Sequence, residues 1–350
     1  MATFDIWDQA TLTDLISKPL QSQFEDGPKL GNLIAPIKSI DGTSAKLRTF
    51  QTLAFGKGQF KAPDGNPGLY TPSQTFSESI IELLELEEMH KIPSSEFLQL
   101  NSKDSTVARA AGTSLIDRGK ALQLRNDRLT EWMRWQAFSG ALTVEYPTGS
   151  SLYIDYGFQS SQKPVVSTLW SSTSSADPIS DMRSFSDTIA SLSGSRGLRY
   201  HMNSKTFGYL TRNANVKALL TNTNRRLYVP QKEDIVSLLP DGSDIVIYDN
   251  GYRAESVGSS RGVPDSLTQF LPDGKVLVTT EYVVDGVNIA ETLDGQVVTS
   301  GGQSNEAVIK SGPQSEVWFD QMSKNHFLRV AARRVPRLNY PECFVYATVA

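Results

Sequence analysis

The sequence predicts an α+β fold, and three observations carry that expectation. One helical periodicity runs without a proline from about Asp104 to Leu142. Asp-Gly turn signals recur at Asp26, Asp41, Asp64, Asp241, Asp273, Asp285 and Asp294, a density that implies many hairpins. The chain closes on CFVYATV, a β-branched and aromatic run that reads as a final strand.

In the long helix Ala108, Ala111, Leu115, Leu122, Leu129, Met133 and Gln136 recur at helical steps and set one face. Asp117, Lys120, Arg125, Arg128, Glu131 and Arg134 are left to other faces. Asp104 is placed to accept from the free amides of the first turn, and Gly140 marks the end. At about 1.5 Å per residue such a helix exceeds the ~30 Å width of a small domain, so the rest of the chain is expected to be elongated along it.

Composition bounds the function. With 350 residues, 39% of them hydrophobic, the chain has material for two or three domains with real cores. A net charge of -4 argues against a general nucleic-acid binder, because neutralising phosphates takes clustered Lys and Arg. Cys343 is the sole cysteine, which removes intrachain disulfides and cysteine metal clusters and fits a reducing cytosol. MATFDIWDQATLTDL lacks a basic region followed by an apolar core, and no run of about 18 apolar residues occurs, so neither secretion nor membrane insertion is expected.

Residues 1–40 carry Phe4, Ile6, Trp7, Leu12, Leu15, Ile16 and Leu20 before breaking at Asp26-Gly27-Pro28. They read either as an amphipathic arm seeking a surface or as a helix packed on its own domain. Residues 45–62, AKLRTFQTLAFGKGQFKA, contain Lys46, Arg48, Lys57 and Lys61 and no acid, with Phe55 and Phe60 among them. Alternation from Leu47 to Phe55 suggests a strand, and the chain returns through Tyr70 to Ile81 into ELLELEEMHK, where Glu82, Glu85, Glu87 and Glu88 cluster. The result is a long hairpin with a basic outer part and an acidic base. Its charges either aid solubility or let the tip of one copy lie over the base of another.

After the helix, LTVEYPTGSSLYIDYGF reads as a hairpin, and STLWSSTSSADP as a domain boundary. Asp177 caps a helix with Pro178 in its first turn and Ile179, Met182, Phe185, Ile189 and Leu192 on one face, ending at Gly194. A strand at 198–202 precedes a helix begun by Asn203 or Ser204, and a short helix lies near 216–220. Strands follow at 244–248 and 276–278, while 299–313 reads as a loop. ARRVPR, with Arg333, Arg334 and Arg337, is the densest basic cluster. It suits either DNA phosphates or acids of a neighbouring subunit.

Catalytic signatures are missing. His90, His201 and His326 lie far apart with no second histidine at metal-ligand spacing. There is no GxSxG elbow and no P-loop, and Gly56-Lys57-Gly58 lacks the third glycine of a dinucleotide fingerprint. The carboxylates near Glu82 have no partner motif that would single out an acid and a base. No catalytic, metal or cofactor site is expected.

Taken in order, the N-terminal arm, long hairpin, long helix, RYHMNSKTFGYL, DIVIYDNGY, FLPDGKVLV and PECFVYATV resemble a tailed-phage major capsid protein of the bacteriophage lambda major head protein family. The resemblance implies the HK97-type capsid fold: an N-terminal arm at 1–40, an E-loop hairpin at 41–85, a P-domain at 86–168 and 311–350 built on a spine helix at about 104–142, and an A-domain at 169–310. It implies self-assembly into hexamers and pentamers around packaged double-stranded DNA faced non-specifically, with scaffolding, portal and decoration proteins as partners. Assembly in the host cytoplasm, a place in the virion capsid, no membrane and no enzymatic activity follow. It also favours the reading in which Lys46, Arg48, Phe55, Lys57, Phe60 and Lys61 approach Glu82, Glu85, Glu87 and Glu88 of a neighbour, with Arg333, Arg334 and Arg337 as further contacts. The alternatives are a shell protein of an encapsulin-like cellular compartment and a soluble hydrolase or ligand-binding protein.

Overall fold

The computed structural model describes residues 9–17, 30–49, 77–146, 149–222, 229–253, 267–284, 286–300, 307–320 and 325–350. In chain order these form α1 (Gln9–Ser17), α2 (Leu30–Ile34), β1 (Ile37–Ser39), β2 (Ser44–Thr49), β3 (Ser77–Glu82), β4 (Leu84–Ile92), α3 (Ser94–Leu100) and the long α4 (Ser105–Phe138). Next come β5 (Ala141–Glu145), β6 (Ser151–Asp155), α5 (Pro178–Ser193), β7 (Arg199–Met202), α6 (Ser204–Arg212), α7 (Ala214–Asn222), α8 (Lys232–Val236), β8 (Asp244–Ile247), β9 (Gly251–Tyr252) and β10 (Thr268–Gln269). The chain then runs through β11 (Lys275–Thr279), β12 (Val283–Val284), β13 (Val287–Asn288), β14 (Ala290–Asp294), β15 (Gln296–Ser300), β16 (Ala307–Ser311), β17 (Gln314–Asp320), β18 (Asn325–Leu338) and β19 (Phe344–Thr348). Among the described residues no helix is long and apolar enough to cross a membrane.

Helix α4 is 34 residues long, about 51 Å at 1.5 Å per residue. Asp104 Oδ1 accepts from the Thr106 amide at 2.8 Å, which satisfies a first-turn donor. Gly140, at φ 92°, takes the left-handed conformation that stops the helix, so Ala141 and Leu142 begin β5 rather than ending the helix. The expected apolar face holds at Ala111, Leu115 and Met133, which are buried, but not at Leu129, which is 42% exposed. Glu131 and Arg134 are buried instead.

The chain divides into two compact units, the first gathering Met1–Lys46, Ile80–Arg134 and Glu291–Arg337. Its sheet has the order β1-β14-β18-β17, with β4 also paired to β18. β4 and β17 both run antiparallel to β18, and β1 runs parallel to β14. Leu12 and Ile16 of α1 join Ile92, Leu115 and Leu328 in an apolar core, so residues 9–17 are a helix packed on its own unit. Of the stretch 299–313 read as a loop, residues 299–300 and 307–311 belong to the antiparallel strands β15 and β16, and 301–306 lie outside the described residues. In those flanks strand pairing overrides a loop-like composition.

The second unit gathers Leu47–Ser79, Trp135–Ala290 and Leu338–Ala350. Its sheet has the order β19-β11-β7-β8, antiparallel except for the parallel pair β7 and β8. Ile179, Met182, Phe185 and Ile189 on one face of α5 pack with Tyr200, Met202, Val276, Val278, Val345 and Ala347 of the sheet, the one-faced burial expected of an amphipathic helix. Asp177 accepts from the Ser180 amide and Gly194 closes α5 in the left-handed region, as its sequence signals predict. The final strand β19 stacks Phe344 on Phe138 of the last turn of α4. β2 and β3, the two arms at the foot of the expected long hairpin, pair as a two-stranded sheet.

Candidate assembly interface

β4 alternates Leu84 and Leu86, which are buried, with Glu85 and Glu87, which are exposed, the two-residue period of a half-covered strand. Antiparallel register sets Glu85 opposite Arg333 of β18, and the two form an ion pair. Arg329 bridges Glu87 at 2.8 Å and Glu316 of β17 at 2.6 Å. Burial alone would lower the pKa of Arg329, but the bonds to Glu87 and Glu316 outweigh it and raise it. Arg125 of α4 reaches Glu88 at 3.2 Å. The acidic stretch is therefore laced with arginines of its own chain.

The lacing is incomplete. No ion pair joins Glu82 among the described residues, and it is exposed on β3. Among the described residues, the ion pairs of Glu85, Glu87, Glu88 and Glu316 are made with Arg125, Arg329 and Arg333. Ile80 and Met89 stand exposed in the same strands, at 72% and 53%. Lys46 and Arg48 fall in β2, with their side chains outside the described ones. Phe55, Lys57, Phe60 and Lys61 lie outside the described residues.

The three arginines of ARRVPR separate. Arg333 and Arg337 keep partial exposure, and Arg337 meets Glu291 at 2.6 Å beside Lys38 at 3.1 Å. Burial pushes the Glu291 carboxyl up, but the bonds from Lys38 and Arg337 win and hold it below its ordinary value. Arg334 is buried, with Nη1 3.0 Å from Asp127 and Nε 3.3 Å from Asp294. It is an interior residue rather than the surface cation that its place in ARRVPR suggested, because alternate residues of a strand face opposite sides.

That arginine belongs to a buried polar network. Glu131, 1% exposed, accepts from the Gly31 amide at 2.8 Å and from Arg134 Nη1 at 3.1 Å. Arg134 Nε donates to Thr292 Oγ1 at 2.7 Å, and its Nη2 donates to Asn32 Oδ1 at 2.9 Å. Burial lowers the pKa of Arg134, opposed by Glu131. A β-carbon on Gly31 would lie 2.6 Å from both Glu131 carboxylate oxygens, so glycine is what lets the carboxylate sit against the backbone. Burial also raises the Asp294 carboxyl, with Arg334 opposing. The network ties α2, α4, β14 and β18 together, and charge satisfaction rather than apolar contact does the tying. No sequence signal pointed to it: Glu131 and Arg134 lie off the apolar stripe read from Ala108 to Gln136, on faces expected to meet solvent.

Residues 61–299 match the family described as phage major capsid protein E. No curated protein sequence gives a significant match. Among solved structures, a phage-related protein from Bordetella bronchiseptica RB50 superposes with a TM-score of 0.56 at 14% identity, over 97% of each chain. A putative prophage capsid protein from E. coli CFT073 gives 0.56 at 13% identity, over 98% of this chain and 99% of that one. At such identities the likeness is one of fold, and the fold is the HK97-type capsid fold. With the capsid family matched over more than half of its length, the chain belongs to the phage major capsid protein E family.

Proposed function

We propose that this major capsid protein assembles into hexamers and pentamers that close an icosahedral shell around packaged double-stranded DNA, serving as a structural tile and not as a catalyst. The family match carries this reading. In it, residues 1–40 form an arm, 41–85 the E-loop, 86–168 and 311–350 the P-domain, and 169–310 the A-domain. Scaffolding, portal and decoration proteins are its further partners, and assembly takes place in the host cytoplasm. A chain of net charge -4 faces DNA without gripping it, which suits DNA that must slide during packaging.

At the level of residues, the basic hairpin of one copy, with Lys46, Arg48, Lys57 and Lys61 and the aromatic Phe55 and Phe60, lies over Glu82, Glu85, Glu87 and Glu88 of the next, with Arg333 and Arg337 at the margin. The exposure of Glu82, Glu85 and Glu87 at the surface of β3 and β4 supports this contact. Each contact is weak and correctable, while a closed shell holding many of them is stable.

Electron microscopy and sedimentation of the purified protein, with and without a scaffold, test the shell. A chain that never forms capsomers refutes it, and a shell that encloses enzymes in place of DNA identifies a cellular compartment. For the contact, Lys57→Glu with Lys61→Glu is expected to impair assembly more than folding, and Glu82→Lys to restore part of it. Glu82 is the better rescue position because Glu85 and Glu87 already hold arginines that a lysine would repel. Unchanged assembly in the double variant removes the contact.

A further inference from the structure

We propose that the open edge of β1, together with the cavity beside it, takes up an extended segment of a partner polypeptide and receives from it one uncharged hydrogen-bond acceptor on an aliphatic stem, the side chain of a glutamine. This goes beyond the shell reading and does not depend on it, since every residue involved belongs to the first compact unit of one chain.

The register of β1 defines the edge. β1 ends the order of its sheet and, among the described strands, pairs with β14 alone. The Pro36 carbonyl accepts from the Thr292 amide at 2.8 Å, and the Ile40 amide donates to the Asp294 carbonyl at 2.9 Å. Backbone groups alternate sides along a strand, so the N–H and C=O of Ile37 and Ser39 face away from β14. Such an edge pairs readily with another extended chain. A residue set opposite Ile37 there points its side chain to the same face of the sheet as Ile37. Ile37 lines a cavity of about 360 Å³, and that side chain enters it.

The chemistry of the cavity selects what enters. Leu33 and Ile37 on its wall are 54% and 44% exposed and offer an apolar lip. The buried Arg134 and Arg334 also line it. Arg334 Nη1 donates to Asp127 at 3.0 Å and to Thr130 at 3.3 Å, while its Nη2 makes no hydrogen bond among the described residues. Arg134 makes one bond from each Nη, to Glu131 and to Asn32, and keeps a second N–H on both. Both positive charges are already met, because Glu131 lies 3.1 Å from Arg134, and Asp127 and Asp294 lie 3.0 and 3.3 Å from Arg334. The cavity thus keeps donors without unmatched positive charge. A carboxylate entering it would face Asp127, and an ammonium would face two guanidiniums. A carboxamide oxygen meets the donors without either cost, while the methylenes of the glutamine cover Leu33 and Ile37.

The test uses the peptide Val-Thr-Gln-Thr-Val, acetylated and amidated at its ends, and three relatives with Glu, Lys or Leu in place of Gln. Each is titrated into the purified chain by isothermal calorimetry. The Gln peptide is expected to bind about tenfold more tightly than each of the others, the worth of one hydrogen bond from a charged donor. It is also expected to slow hydrogen exchange at the Ile37 and Ser39 amides. Ser39→Pro removes an outward N–H and leaves the bonds to β14, so it is expected to weaken binding about tenfold with the urea midpoint unchanged. Should Ser39→Pro not fold, the Gln peptide N-methylated along its backbone, which cannot pair with an edge, is titrated into the wild-type chain instead. Undiminished binding to Ser39→Pro, or by the methylated peptide, overturns the proposal. So does a Glu, Lys or Leu peptide that binds as tightly as the Gln peptide, and so does the absence of binding by all four at about 1 mM peptide.

Discussion

Replacing Glu131 by alanine removes the anionic centre of the buried network and leaves two groups stranded. The Arg134 guanidinium, 2% exposed, loses its charge partner, and the Gly31 amide loses its acceptor. Breaking one side of a buried ion pair costs about 3–5 kcal/mol. Within that, an unpaired buried amide accounts for about 1–3 kcal/mol. Glu131→Gln keeps an oxygen for Gly31 while removing the charge, so the gap between the two variants isolates the amide. Urea unfolding of the unassembled chain, followed by circular dichroism, reads these values. With a slope of about 2 kcal/mol per molar urea, a loss of 4 kcal/mol lowers the midpoint by about 2 M. Glu131→Ala with Arg134→Met removes both charges and is expected to cost less than Glu131→Ala alone. A Glu131→Ala cost below about 1 kcal/mol, the range of exposed pairs, refutes the reasoning. So does a double variant that costs the sum of the singles.

Two pH effects of opposite sign are expected. His201 is fully buried between the Leu277 carbonyl and the Tyr282 hydroxyl, and burial pushes its pKa down to about 4, opposed by the bond to Leu277. Between its unfolded value of about 6.5 and 4 the unfolded chain binds a proton that the folded chain refuses, so stability falls by up to about 3 kcal/mol as the pH drops through that window. His201→Gln flattens this slope in urea midpoints measured from pH 7 to 4, and an unchanged slope counts against the assignment. Asp294 behaves in reverse, because burial raises its carboxyl above the unfolded value. It favours the folded state below about pH 3.9, and this contribution is lost as pH rises from there through the folded value. Asp294→Asn is expected to remove that loss and raise the midpoint at pH 7, and a lowered midpoint sinks the reading.

The elements that could be read from sequence are those whose signals are local. Asp177, Pro178 and Gly194 announce both ends of α5, and the β-branched run after Cys343 announces β19. Asp104 and Gly140 likewise bracket α4 to within a few residues. What could not be read depends on partners distant in the chain. Glu131 and Arg134 carry the marks of a solvated helix face, and only the approach of Gly31, Asn32 and Thr292 makes them interior. Likewise the acids near Glu82 read as a bare patch, because Arg329 and Arg333 that lace them lie more than 240 residues away. The hairpin β15–β16 was hidden for another reason. Its glycine and polar content outweighs a short alternation that tertiary pairing then uses.

Strand β18 also determines how reliably the first sheet finds its alignment. Arg329, Arg333 and Arg337 stand four residues apart, so all three emerge on one side, each meeting a carboxylate, while Arg334 alone turns inward to Asp127 and Asp294. A slip of one residue would drive three guanidiniums into the interior and expel the fourth from its acids. A slip of two would keep the sides but part every charge from its partner. The strand thus behaves as a toothed key that fits at one setting, and a chain that must be copied faultlessly into every position of a shell gains fidelity from a misalignment that is costly in each copy.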